Sequence, residues 1–228
     1  MVETLARECG LTPASSVADI GCGTGLLAEL FCDFGNRVYG VEPNASMLAA
    51  AREALGERGN FVAVEGKAEA TSLPDAAVDF VIAGQAFHWF ETQPTRREFV
   101  RILKPGGWVV LLWNDRTEDS RFMAAYEQLM QRFGIDYAKV KRMWAVPNLA
   151  EFFAPSEFRT VFFANEQSYD REGLRGRILS ASYMPHREHP AYEAMSEAMD
   201  RMFDEHQRGG TVLFEQETRM YYGQLAPK

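Results

Sequence analysis

The chain has 228 residues, 46% hydrophobic and 25% charged, which suits a globular α/β domain with an ordinary core and leaves no long disordered tract. Its formal net charge of −8, with no run of five or more Lys and Arg, opposes phosphate backbones and argues against a nucleic-acid partner. Three cysteines, Cys9, Cys22 and Cys32, have neither disulfide-framework nor zinc spacing, and no window approaches the roughly 18 apolar residues of a membrane span, so a cytoplasmic protein with reduced thiols and no metal is expected.

Along the chain, short apolar runs alternate with helical spacing. Val17 to Ile20 is an apolar run closed by glycines, and Leu26 to Cys32 has helical periodicity. Asn36 to Val41 reads as a second strand, and Ser46 as the N-cap of a helix carrying Met47, Leu48, Ala51 and Leu55. Phe61 to Val64 and Val78 to Ala83 are the third and fourth strands. Pro94 to Leu103 is helical, ended by Lys104-Pro105-Gly106-Gly107, and Trp108 to Trp113 is the fifth strand. The near-continuous apolar runs suit strands buried on both faces, and the alternation implies parallel pairing with right-handed crossovers.

The second half is more helical. Ser120 to Phe133, Leu149 to Phe153, Arg171 to Ser180 and Ala191 to His206 read as helices, Phe158 to Ala164 as a sixth strand and Thr211 to Leu225 as the last. A helical stretch thus splits the final strand pair.

The sharpest local signal is Asp19-Ile20-Gly21-Cys22-Gly23-Thr24-Gly25, between a strand and a helix. Glycines there permit a tight turn and close approach of a ligand to backbone. Glu42, at the end of the second strand, is placed to accept both hydroxyls of an adenosine ribose, a device shared with nicotinamide-cofactor enzymes. The spacing separates the two classes: G-x-G-x-G followed by Leu26 lacks the late glycine that a pyrophosphate-binding turn uses.

Asp19 to Gly25 resembles the first motif of class I S-adenosylmethionine (SAM) dependent methyltransferases. Val41-Glu42-Pro43-Asn44 with Met47-Leu48 resembles their second, and Leu103-Lys104-Pro105-Gly106-Gly107 the loop before their fifth strand. Gln85-Ala86-Phe87-His88-Trp89-Phe90 is similar to the type 11, trans-aconitate-like small-molecule branch, as are Leu179 to Pro185 and Glu217 to Gly223.

The resemblance implies an α/β, Rossmann-like doubly wound sheet of seven mostly parallel strands, the last antiparallel, in a single methyltransferase domain over 1–228. Its SAM-binding core would span 1–115, and its C-terminal part, 116–228, would carry a helical lid at about 170–206. It also implies SAM as cofactor. The loop of Gly21, Gly23 and Gly25 would hold the methionine portion and Asp19 the amine. Glu42 would hold the ribose, Pro43 and Met47 would flank the adenine, and Gln85 would lie beside the cofactor. In Gly66-Lys67-Ala68-Glu69 the family's usual Asp is replaced by Lys67, so the adenine contact falls to the Ala68 backbone with Glu69 alongside.

Methyl transfer chiefly needs alignment and exclusion of water; a base is needed where the acceptor is an un-ionised hydroxyl or amine. His88, just beyond the fourth strand, is the candidate base, the alternative being that it orients a neighbour. Trp89 is a candidate aromatic wall or a packing residue, and Phe87 reads as core. Arg177 and Tyr183 are candidate contacts to a polar or anionic acceptor, or ordinary surface residues. His186 and His189, interrupted by prolines, read as a solvated loop. The expected activity is methyl transfer from SAM to a small molecule, at oxygen. The competing readings are a non-catalytic SAM-binding regulatory module and an NAD(P)-dependent oxidoreductase.

Overall fold

The computed structural model describes residues 1–138 and 149–226. Strands β1 (Ser16–Ile20), β2 (Arg37–Glu42), β3 (Phe61–Glu65), β4 (Val78–Gly84), β5 (Leu103–Arg116), β6 (Phe158–Tyr169) and β7 (Val212–Gly223) form one sheet in the order β3-β2-β1-β4-β5-β7-β6. Six strands are parallel and the last is antiparallel. Ile20 is in register with Val41, and Asp19 with Ile82, which brings the carboxyl ends of β1, β2 and β4 together. The helices are α1 (Val2–Cys9), α2 (Leu26–Phe34), α3 (Ala45–Leu55), α4 (Thr92–Ile102), α5 (Arg121–Phe133), α6 (Leu149–Phe153), α7 (Arg171–Leu179) and α8 (Tyr192–His206). None is long and apolar enough to cross a membrane.

Two local details differ from expectation, and one element lies where no expectation was made. The α3 N-cap is Asn44, not Ser46: the Asn44 side-chain oxygen accepts the N–H groups of Ser46 and Met47 at 3.0 and 3.2 Å. Either residue type can cap, and the extended backbone at Asn44 decides it. Lys104 to Gly107 does not separate helix from strand. Leu103 already pairs with Val78, and pairing resumes between Trp108 and Phe80 after an irregularity within β5. Finally, the amphipathic α1, with Val2, Leu5 and Cys9 on one face, was not singled out from the sequence; Leu5 is wholly buried and Gly10, at φ 70°, closes its last turn.

The chain divides into two compact units. The first comprises the described residues of Met1–Trp113, Val146–Phe162 and Arg219–Lys228; the second, those of Asn114–Ala145 and Phe163–Thr218. In the first, Phe99 and Ile102 of α4 and Phe152 and Phe153 of α6 cluster with Val81, Ala83, Val109 and Leu111 of the sheet. Each large side chain so buried contributes about 1.5–3 kcal/mol. Arg96 of α4 is 3% exposed yet well satisfied: it donates to the carbonyls of Phe152, Ala154 and Ala226 at 2.9, 2.9 and 2.8 Å. The second unit packs Met123, Tyr126 and Met130 of α5 with Met195, Met199, Met202 and Phe203 of α8 and with Phe214.

Candidate functional site

The strand order reverses between β1 and β4, and open α/β sheets bind ligands beyond the strand ends at such a point. The glycine loop leaves β1 there. The N–H groups of Gly21 and Cys22 both donate to the Val41 carbonyl, at 2.8 and 3.2 Å, turning the chain sharply across the end of β2. Gly21 and Gly23 are glycines for different reasons. A Cβ on Gly21 would meet the Ala86 Cβ at 2.7 Å, whereas one on Gly23 would meet nothing within 4 Å; both residues have positive φ. Gly21 is fixed by packing against the segment that follows β4. Gly23 presents bare backbone to open space, the surface a closely approaching ligand requires.

Asp19 sits beneath this loop, 1% exposed. Both carboxylate oxygens are sealed from solvent, and neither has a hydrogen-bond partner. Burial pushes its pKa up to about 7. The backbone N–H of Ala28, in the first turn of α2, opposes this without reaching hydrogen-bonding geometry, and the Glu42 charge adds to it. An isolated buried carboxylate is costly, and a cationic partner such as a ligand ammonium relieves that cost.

Glu42, also buried, is the loop's brace. One oxygen accepts the Gly23 N–H at 3.0 Å, the other the Asn44 N–H at 2.9 Å. Each oxygen keeps a second lone pair, so the carboxylate can still accept ligand hydroxyls. Asn44 therefore belongs to the site as well as to the α3 cap. The sequence reading missed it, although an Asx residue just ahead of a helical run is the signal for it. Pro43 is exposed and Met47 is 46% exposed, an unusual state for so apolar a side chain. Leu26, 77% exposed at the start of α2, is a further apolar residue beside the loop, one the sequence marked only by its lack of a glycine.

Residues 67–70 form a tight turn closed by two backbone hydrogen bonds between Lys67 and Ala70, with Ala68 buried and Lys67 exposed. One oxygen of Glu69 accepts the Glu91 N–H at 2.9 Å and the Thr95 hydroxyl at 3.3 Å, capping α4, which has no side-chain cap of its own.

Beyond β4, Gln85 is exposed and has φ 56°, the left-handed region that costs a non-glycine residue about 1–2 kcal/mol. A short 3-10 turn over Phe87–Trp89 follows. Phe87 is buried in edge-on contacts with Phe90, Trp113 and Phe152 and anchors the turn. His88 is half-buried; its Nδ1 is sealed without a partner, and burial lowers its pKa below the ordinary 6.5. Its ring lies 4.9 Å from that of Trp89, which is 66% exposed.

The β1, β2 and β4 ends thus bring together Asp19, the three glycines, Glu42 and Gly84, with Gln85, His88 and Trp89 following β4. Arg177 and Tyr183 belong to the second unit. His186 and His189 are exposed, and the His189 ring accepts the Ala191 N–H at 3.1 Å.

Comparison with known proteins places the chain among methyltransferases. Residues 18–111 match the family described as a methyltransferase domain. An uncharacterized methyltransferase of Geobacillus thermodenitrificans is 30% identical over 175 residues, covering 74% of this chain and 78% of that protein. One from Mycobacterium tuberculosis is 36% identical over 126 residues, covering 54% of this chain and 51% of its own, so the chain spans about half the length of that relative. The solved structure of the YcgJ protein from Bacillus subtilis shares the fold, with a TM-score of 0.60 at 19% identity, over 100% of this chain and 98% of that one. The kinship is with methyltransferases, which sets aside the nicotinamide-enzyme reading.

Proposed function

This chain belongs to the class I SAM-dependent methyltransferases, and we propose that it methylates an oxygen atom of a small-molecule acceptor, with His88 as the base. The observation that carries the donor side is the buried, partnerless Asp19 carboxylate below the open backbone of Gly23. That pair suits the ammonium and methionine portion of SAM. Glu42 receives the ribose hydroxyls on its remaining lone pairs. Pro43 and Met47 supply apolar surface to the adenine, with the Ala68 backbone, Glu69 and Gln85 completing the surround.

When bound, SAM supplies a methyl group activated by its sulfonium. The chain's own residues hold the acceptor in line, exclude water and accept a proton. The desolvated His88 ring is neutral at neutral pH and ready to accept the proton of an un-ionised hydroxyl. With Nδ1 sealed in the protein, Nε2 is the nitrogen left to exchange it. The exposed Trp89 face beside it suits a sulfonium cation. The net charge of −8 favours a small acceptor over a nucleic acid.

Calorimetric titration with SAM and S-adenosylhomocysteine, followed by a labelled-methyl screen over phenols, hydroxy acids and amines, tests the reading. Heat with both nucleosides and label on a hydroxyl compound are expected. A folded sample giving no heat overturns the donor assignment, and label confined to amines or carbon overturns the oxygen assignment.

A further inference from the structure

Among the described residues of the second unit, Arg116 and Arg177 share one aromatic cluster, and only Arg116 meets a carboxylate there. Arg116 donates to the Tyr137 hydroxyl at 2.5 Å, that hydroxyl donates to Glu127 at 2.6 Å, and the Arg116–Glu127 separation is 3.7 Å. Its guanidinium carbon also lies 5.3 Å from the centre of the Tyr126 ring.

Arg177 of α7 is different. Its guanidinium carbon lies 4.4 Å from the centre of the Phe214 ring and 6.0 Å from that of Tyr169. Its Nε is sealed from solvent and has no hydrogen-bond partner, and among the described residues no carboxylate lies within ion-pairing distance of it. Aromatic faces attract the cation but accept none of its in-plane N–H bonds. The two cations share one cluster. Phe214 meets Tyr126 edge-on at 5.0 Å, Tyr137 lies 5.3 Å from Tyr183, and both guanidiniums act on the Tyr126 and Tyr183 hydroxyls.

We propose that Arg177, within this Arg–Tyr cluster of the second unit, is a binding site for the carboxylate of a small organic acid. A guanidinium presents parallel donors in the plane of its fork, and a carboxylate accepts them in pairs. Arg177 itself brings a single positive charge, which one carboxylate neutralises and a phosphate dianion would exceed. The rings of Phe214, Tyr169 and Tyr126 keep the surroundings of this cation apolar, which strengthens its attraction to an anion. The site stands independently of what the chain methylates.

The test is titration of the full chain with benzoate, with benzamide as its uncharged counterpart and inorganic phosphate as the competing anion, followed by the 15N-labelled Arg177 Nε–H resonance and by calorimetry. Benzoate is expected to bind with a Kd on the order of 1 mM, as suits a fragment of its size, and to shift the Nε–H signal, while benzamide does not. Arg177→Met is expected to weaken benzoate about tenfold or more and Arg177→Lys by less, with S-adenosylhomocysteine binding unchanged in both. Equal benzoate affinity in wild type and Arg177→Met, or a benzoate titration that leaves the Nε–H signal unmoved, overturns the site. Tighter binding of phosphate than of benzoate overturns its assignment to carboxylates. The resonance readout needs only wild-type protein, so a variant that fails to fold does not spare the proposal. Loss of nucleoside binding by wild type strikes the methyl-transfer reading and leaves the benzoate result standing.

Discussion

The Gly23 N–H and the Glu42 carboxylate are joined at 3.0 Å, and the other oxygen of the same carboxylate takes the Asn44 N–H at 2.9 Å. One acid therefore ties the glycine loop to the start of α3. Glu42→Gln keeps one acceptor but turns an amide N–H₂ against a backbone N–H. SAM affinity is expected to fall roughly 10- to 100-fold, more in Glu42→Ala, with a lowered Tm in both. Calorimetry and thermal melts check this, and unchanged affinity in Glu42→Ala would remove Glu42 from the donor site.

Asp19 is expected to make both folding and donor binding sensitive to pH. Its folded pKa of about 7 lies above the ordinary 3.8, so its stabilising protonated form is fully present below 3.8 and is lost as pH rises through 7. Asp19→Asn is expected to melt above wild type in the ligand-free state at pH 8, by a few kcal/mol of stability, and the gap should close towards pH 5. Donor binding should run the other way. A ligand ammonium selects the ionised form, so wild-type affinity should weaken by up to about tenfold per pH unit below 7. Asp19→Asn should bind weakly at every pH. Proton release measured in buffers of different ionisation enthalpy reports the same event.

The two loop glycines should separate stability from binding. Gly21→Ala drives a Cβ to 2.7 Å from that of Ala86 and is expected to lower Tm markedly. Gly23→Ala meets no neighbour, so its folding cost is the left-handed backbone alone, about 1 kcal/mol, while the new methyl group projects into space a ligand would use. Its larger effect should be on SAM affinity. A Gly23→Ala protein that binds SAM normally would show that the ligand does not approach this backbone.

Substitution of His88 by Gln is expected to lower kcat for a hydroxyl acceptor by about 10²- to 10⁴-fold while leaving SAM binding intact. Because burial lowers the His88 pKa below 6.5, the imidazole is neutral at neutral pH, and the acid limb of kcat/KM belongs below 6.5. The limb should vanish in His88→Gln. A wild-type rate flat through that range would assign the proton elsewhere.

The sheet was largely legible because VDFVIA and WVVLLW bury residues on both faces, and such runs mark themselves without any partner in view. Boundaries were less legible where tertiary pairing overrides punctuation. Lys104 to Gly107 has turn chemistry, yet Leu103 before it already pairs with Val78. In the site, the glycine spacing and Glu42 could be read directly. The isolation of Asp19 could not, since an unpartnered carboxylate is defined by everything packed around it. Nor could the engagement of Glu69, whose partners Glu91 and Thr95 lie far along the chain.

Arg96 bears on the order in which this protein can be made. Its guanidinium holds carbonyls of residues 152, 154 and 226, the last of which leaves the ribosome long after the glycine loop. The unit carrying that loop also takes in residues 219–226, so the loop is synthesised early and its surroundings are completed late. During translation a nascent chain exposes an unfinished Rossmann-like half, and a cut near residue 218 would damage the amino-terminal unit although most of its sequence remained.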